Sequence, residues 1–238
     1  MRSLSKLLLT LVAGFGLLLG TAQADVPKNI LDSLNQNVVE VQYNGSMGTG
    51  FYVTPKHILT NRHVVSYSED RKEVEDNPVV VILSADGVDR YVVELVSYVG
   101  DVDLALFYCE LCPADSGKGL PIAVGVPALG TSLWSSGFGV GTYGVHEGLA
   151  QLLVQETKNR PAHLNHSVPT TRGDSGSPIV ALVDGVPMVV GVIEALQVTA
   201  IPDKDGNPDY TLVAHKGIAV PSGYIHRMLQ KSLRGSSK

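Results

Sequence analysis

Thr171-Arg172-Gly173-Asp174-Ser175-Gly176-Ser177-Pro178 sets a serine between glycines that can bend the backbone into a tight turn with its amides exposed. A serine hydroxyl is a poor nucleophile near neutral pH and needs an imidazole placed to take its proton. Upstream, the chain offers a histidine in Thr60-Asn61-Arg62-His63-Val64-Val65 and an aspartate in Asp101-Val102-Asp103-Leu104-Ala105-Leu106. Ser175 would attack and His63 would act as general base. Asp103 would fix the imidazole tautomer and balance its charge, while the backbone amides of Gly173 and Ser175 would form an oxyanion hole. Singly, these residues read as a loop serine, a strand-end histidine and a turn carboxylate. Their joint occurrence, in workable order, points to acyl transfer.

Around these motifs the chain is a series of short β-branched runs divided by glycine, proline and aspartate, which predicts an all-β sandwich or barrel. Candidate strands are Val38 to Tyr43, Gly50 to Val53, His57 to Thr60, Val79 to Leu83, Tyr91 to Tyr98 and Leu104 to Tyr108. A glycine-rich connection at Val124 to Gly130 precedes a second set: Ser132 to Phe138, Gly141 to Val145, Leu149 to Gln155, Pro178 to Leu182, Met188 to Thr199 and Tyr210 to Ala219. Ile30 to Gln36 reads as a short helical lead-in. Tyr224, Ile225, Met228, Leu229 and Leu233 have helical spacing and predict a closing helix over Ser222 to Leu233. Two β-rich halves meeting near Cys112 to Pro127 would carry His63 and Asp103 on the first and Ser175 on the second, with the site in the cleft between them. No internal repeat is visible in the sequence.

Met1 to Ala24 has the form of a secretory signal: Arg2 and Lys6, an apolar run from Leu7 to Leu19, then Ala22-Gln23-Ala24 as a small-x-small cleavage pattern. The run is shorter than the ~20 apolar residues that span a bilayer, so no membrane attachment is expected after its removal. Cleavage would leave 214 of the 238 residues and, by taking away Arg2 and Lys6, shift the formal net charge from −5 to −7. A mildly acidic product of this length is expected in the periplasm or outside the cell, as one large β domain or two small ones, with no nucleic-acid partner. In an oxidising compartment the pair in Cys109-Glu110-Leu111-Cys112 reads as a disulfide. By loop-closure entropy so short a bridge adds only about 2 kcal/mol, so its expected role is to pin the strand end beyond Asp103. A thioredoxin-type redox pair would need a βαβ setting, which these flanks lack, and no second ligand pair is spaced for zinc.

Several stretches together resemble the chymotrypsin-fold, trypsin-like serine proteases, and within that fold the HtrA/Deg-type protease domain. They are Gly48-Thr49-Gly50-Phe51-Tyr52-Val53, Ile58-Leu59-Thr60-Asn61-Arg62-His63-Val64-Val65, Asp103-Leu104-Ala105-Leu106, Gly173-Asp174-Ser175-Gly176-Ser177-Pro178 and Lys216-Gly217-Ile218-Ala219-Val220-Pro221-Ser222. The resemblance spans nearly all of Val38 to Leu233. It implies two six-stranded antiparallel β-barrels, about 38–112 and 125–220, with the active site between them and a C-terminal helix at about 222–233. It also implies a serine endopeptidase acting on protein or peptide substrates without a cofactor or metal. It selects Asp103 over Asp101 and leaves the oligomeric state open. Asp174 and Ser177 stand where the HtrA/Deg type has asparagine and glycine. Cleavage-activated relatives share the aspartate and pair it with a freed N-terminus, but no Ile-Val-Gly-Gly activation sequence is present here, so activity without propeptide cleavage is expected. The chain ends about five residues past its last predicted helix, so no C-terminal PDZ domain is expected.

By the same resemblance the primary specificity pocket is walled by Val168 to Arg172, including Pro169 and Thr170, and by Ile193, Glu194, Ala195 and Leu196. Pro169 and Thr170 take the place of a pocket-base aspartate, which favours a small or medium apolar P1 residue over a basic one. Glu194 argues the other way. Asp203 to Asp209 looks superficially like a calcium loop but departs from the EF-hand spacing, and its Asp-Gly pair predicts a hairpin connection. His163 and His166 read as surface groups, and His57 lacks the motif that singles out His63. The alternative functional class is a protease-fold module that binds unfolded chains without cutting them.

Overall fold

The computed structural model describes residues 26–66, 74, 80–84, 87, 89–99, 101–114, 117–158, 160–202 and 208–234. The predicted signal segment and residues 203–207 of the Asp-Gly connection lie outside that set. The strands form two closed, six-stranded antiparallel barrels. The first holds β1 (Val38–Tyr43), β2 (Ser46–Thr54), β3 (His57–Thr60), β4 (Val80–Ser84), β5 (Arg90–Val99) and β6 (Leu104–Tyr108). The second holds β7 (Ser132–Gly137), β8 (Gly144–Val154), β9 (His163–His166), β10 (Pro178–Val183), β11 (Val186–Pro202) and β12 (Pro208–Pro221). Around the first barrel the order is β1-β2-β3-β6-β5-β4, and around the second β7-β8-β9-β12-β11-β10. The second order is the first advanced by six strands. A structural duplication is therefore present where no repeat shows in the sequence.

The apolar runs explain where the barrels meet. Successive strand side chains point to opposite faces, and in β6 both faces are buried. Ala105 and Phe107 enter the interior of the first barrel with Val39, Val41 and Ile58. Leu104 and Leu106 face the other way, into a cluster with Leu59, Val180, Val192 and Val220 that joins the two barrels. β11 behaves alike: Val192 joins the shared cluster, while Val190 and Ile193 fill the second barrel with Leu133 and Ile179. Continuous runs such as Leu104-Ala105-Leu106-Phe107 thus mark strands with no wet face.

Two helices close the shared core. α1 (Lys28–Asn37) buries Ile30 and Leu34, one turn apart on a single face, and its terminal Asn37 accepts a hydrogen bond from the Gly119 amide at 2.8 Å. α2 (Ser222–Arg234) buries Ile225 and Met228. Its Ser222 hydroxyl donates to the Gly125 carbonyl at 2.8 Å, and Ser232 meets Ser97 of β5 at 2.7 Å. The last helix thereby leaves the second barrel and ends against the first.

The structure merges two expected strands and adds one. The strands expected at Gly141 to Val145 and Leu149 to Gln155 are one strand, β8, because Gly148 is not a turn: it pairs with Leu133 of β7. A Cβ at Gly148 would overlap the Val168 backbone, so this glycine serves close packing. β9, His-Leu-Asn-His, has no β-branched residue and no expectation covered it, yet it pairs with both β8 and β12. The disulfide Cys109–Cys112 follows β6 directly, with a Cα separation of 5.4 Å and both cysteines buried. The Tyr52 hydroxyl donates to Cys112 Sγ at 3.2 Å.

Candidate active site

The first barrel contributes a histidine and a carboxylate as a preassembled pair. β3 ends at Thr60, and a single 3-10 turn, Arg62–Val64, carries His63. Asp103 immediately precedes β6, the neighbour of β3. One Asp103 oxygen accepts from the His63 backbone amide at 2.8 Å, and the other accepts from His63 Nδ1. The buried Asn61 side chain donates to the Asp103 carbonyl at 2.8 Å. This arrangement puts the ring proton on Nδ1 and leaves Nε2 free to accept a proton. His57, three residues before Thr60, meets Thr54 Oγ1 through Nδ1 at 2.8 Å, and burial lowers its pKa.

The second barrel contributes the serine on a turn held almost wholly by backbone. Gly173 has φ +102° and Gly176 φ +90°, a region that glycine enters without strain. Space excludes any other residue as well, since a Cβ at Gly173 would overlap the Phe138 carbonyl and one at Gly176 the Thr49 carbonyl. The Arg172 carbonyl accepts from Val140 N at 2.7 Å and the Asp174 carbonyl from Ser177 N at 3.0 Å. In a trans peptide the N–H opposes the C=O, so these bonds turn the Gly173 and Ser175 amides away from Val140 and Ser177. Among the described residues neither amide donates to a backbone acceptor. The two amides proposed from sequence as oxyanion donors are therefore left available.

Thr49 of β2 fastens the turn to the first barrel. Its hydroxyl donates to the Gly173 carbonyl at 2.7 Å and accepts from Phe138 N at 3.0 Å, and its amide donates to the Ser175 carbonyl at 2.8 Å. Gly48 lies between the two halves: a Cβ there would stand 2.7 Å from Val64, next to His63, and 3.1 Å from the Ser175 carbonyl oxygen. The half-buried Ser175 thus comes beside the His63 turn.

Asp174 is buried. Its Oδ2 accepts from Thr171 N at 2.7 Å and from the Thr171 hydroxyl at 3.3 Å. Among the described residues it has no ion pair. Burial pushes its carboxyl above the usual range, partly offset by the Thr171 amide, the His146 charge, the Thr171 hydroxyl and the Gly139 amide. The aspartate shared with cleavage-activated proteases is held here by local donors.

The expected pocket residues divide. Pro169 is exposed and Thr170 half-buried, with the Thr170 hydroxyl donating to the Val168 carbonyl at 3.0 Å. Ile193 is buried in the second barrel and meets the nucleophile turn through its backbone: its carbonyl accepts from Gly176 N and its amide donates to Ser177 O, both at 2.9 Å. Ala195 is exposed, and Glu194 lines a cavity that also includes Asp103. His163 and His166, read as surface groups, are both buried on β9. Among the described residues neither ring nitrogen of His166 has a partner within hydrogen-bond distance, and burial lowers its pKa to about 4, with the nearby Val168 backbone offsetting part of the effect.

Residues 48–192 match the family described as the trypsin-like peptidase domain. Among solved structures, the chain is similar to the Rv3671c protease from M. tuberculosis in its active form, with TM-score 0.65 and 21% identity over 85% of this chain and 83% of that one. The inactive form of the same protease gives TM-score 0.64 and 21% identity, covering 85% and 92% of the respective chains. The serine endoprotease from Yersinia pestis gives TM-score 0.64 and 19% identity, covering 88% of this chain and 68% of that one. At these identities the likeness is one of fold. No curated protein matches the chain.

Proposed function

Because the chain belongs to the trypsin-like peptidase family, we propose that it is an exported serine endopeptidase, directed to the periplasm or beyond by Met1 to Ala24, that cuts unfolded or flexible protein segments through an acyl-enzyme. Ser175 Oγ attacks the scissile carbonyl carbon, and His63 Nε2 takes its proton. The resulting imidazolium is held by Asp103 through Nδ1. Negative charge on the former carbonyl oxygen is received by the Gly173 and Ser175 amides, each donor of this kind being worth about 10²–10³ in kcat. Collapse of the tetrahedral species breaks the C–N bond, and His63 gives its proton to the departing amine. Water, activated by His63 in the same way, then releases the acyl group from Ser175.

The observation that carries this reading is the double hold of Asp103 on His63, through the ring Nδ1 and the backbone amide, beside a glycine turn that leaves two amides unused. The test is covalent labelling: a fluorophosphonate probe should modify the wild type and spare Ser175→Ala, and that substitution should lower kcat on a casein-like substrate by at least about 10⁴-fold. Wild-type protein that binds unfolded chains yet takes no label and releases no peptides would replace the reading with that of a non-cutting binding module.

A further inference from the structure

Glu194 follows Ile193, the residue whose carbonyl and amide bond the backbone of Gly176 and Ser177 just after Ser175. In the pairing of β11 with β12, Ile193 lies opposite Ala219 and Ala195 opposite Ile218, so Glu194 is the extra residue of a β-bulge. A bulge re-aims its side chain out of the ordinary alternation and is common beside active sites. Here it places Glu194 in the lining of a cavity of about 120 Å³ that Asp103 lines from the first barrel. Asp101, from the segment before β6, Arg160, from the chain leading into β9, and His163, the first residue of β9, complete its charged and titratable lining. His63 and Arg62, from the turn after β3, act on the Glu194 carboxyl electrostatically.

We propose that Glu194 is a positioning residue of this site, a second carboxylate that works through the His63–Asp103 pair by adding negative charge on the Asp103 side of the imidazole. The inference rests on the reading of Ser175, His63 and Asp103 given above. Its physical basis is that the imidazole becomes a cation only after attack. A nearby fixed anion therefore stabilises the transition state more than the resting site, which is the condition for raising kcat. The arginines answer the cost of placing two carboxylates together: Arg62 and Arg160 offset the repulsion between Glu194 and Asp103. Burial first, then the Asp103 charge, push the Glu194 carboxyl above its ordinary range, while His63, Arg62 and Arg160 pull it back. Its ionisation accordingly falls on the acid side of a peptidase pH profile, where it can be counted.

The experiment is the pH dependence of kcat and kcat/KM on a peptide substrate for wild type and Glu194→Gln. In wild type the rise of kcat with pH should carry a separate step of about 3–10-fold as Glu194 ionises. Glu194→Gln should lack that step, and its plateau kcat should fall by about 3–10-fold at unchanged KM. Glu194→Asp keeps the charge and should retain the step, which preserves the test if the glutamine variant does not fold. An acid limb identical in wild type and Glu194→Gln overturns the proposal. So does a variant that changes only KM or P1 preference, which would make Glu194 a substrate contact, and so does activity that falls as Glu194 ionises. Wild type without turnover or probe labelling instead removes the peptidase reading on which the proposal stands.

Discussion

Asp103 and Asp174 flank the candidate nucleophile from opposite barrels, are 8% and 3% exposed, and are satisfied in opposite ways. Asp103 accepts from a histidine ring and that residue's amide, so its partner can change charge during a reaction. Asp174 accepts from the amide and hydroxyl of Thr171 and from the Gly139 amide, none of which can. Burial and a carboxyl group are common to both, and the donor decides the role. In the proposed mechanism the first barrel acts through His63 and Asp103, and the second through Ser175 and a backbone shaped by glycine.

The largest effect should come from Asp103→Asn, which keeps the shape but presents an amide where His63 Nδ1–H needs an acceptor. The ring would settle in the wrong tautomer, and kcat should fall about 10⁴-fold, measured on a peptide substrate, with the melting temperature changed little. A comparable loss of kcat in Asp174→Asn would break the contrast between the two carboxylates. Gly176→Ala tests the backbone side. Its new Cβ would overlap the Thr49 carbonyl at φ +90°, so denaturant unfolding should report a loss of about 2 kcal/mol or more, together with loss of probe labelling at Ser175.

The smallest effect concerns Asp174 and pH. Its pKa in the fold lies above the ordinary value of 3.8 because burial opposes the charge. The folded chain therefore binds the proton more tightly than the unfolded chain. The associated stability is complete below the unfolded pKa and is lost as pH rises through the folded one. Asp174→Asn has no such loss, so its melting temperature relative to wild type should improve from pH 3.5 to pH 6.5. The change should be a few degrees, since about 1 kcal/mol moves Tm by about 2–4 °C at this chain length.

Much of this was readable before any coordinates. The bounds expected for β1, β3 and β6 match the observed strands, since each is a dense apolar or β-branched run with a clear stop. The flanks of His63, Asp103 and Ser175 were readable because few residue types satisfy that chemistry. What escaped depends on partners distant in the chain. β9 exists because β8 and β12 offer it hydrogen bonds on both sides, not because His-Leu-Asn-His favours a strand. The burial of His163 and His166 follows from the same two neighbours. The bulge at Glu194 is a matter of register with β12, and no spacing within β11 announces it. The common strand order of the barrels is equally silent, because topology constrains which strands pair and leaves the residues free to diverge.

The reach of Thr49 has a consequence for how the protein comes into being. A threonine of β2 binds the carbonyls of both Gly173 and Ser175, so the nucleophile turn borrows part of its shape from residues about 125 positions earlier. A half-assembled molecule, with one barrel formed and the other still loose, has the serine but not the turn, and the histidine but nothing to serve. In the proposed peptidase, activity would therefore arrive only once both barrels have formed.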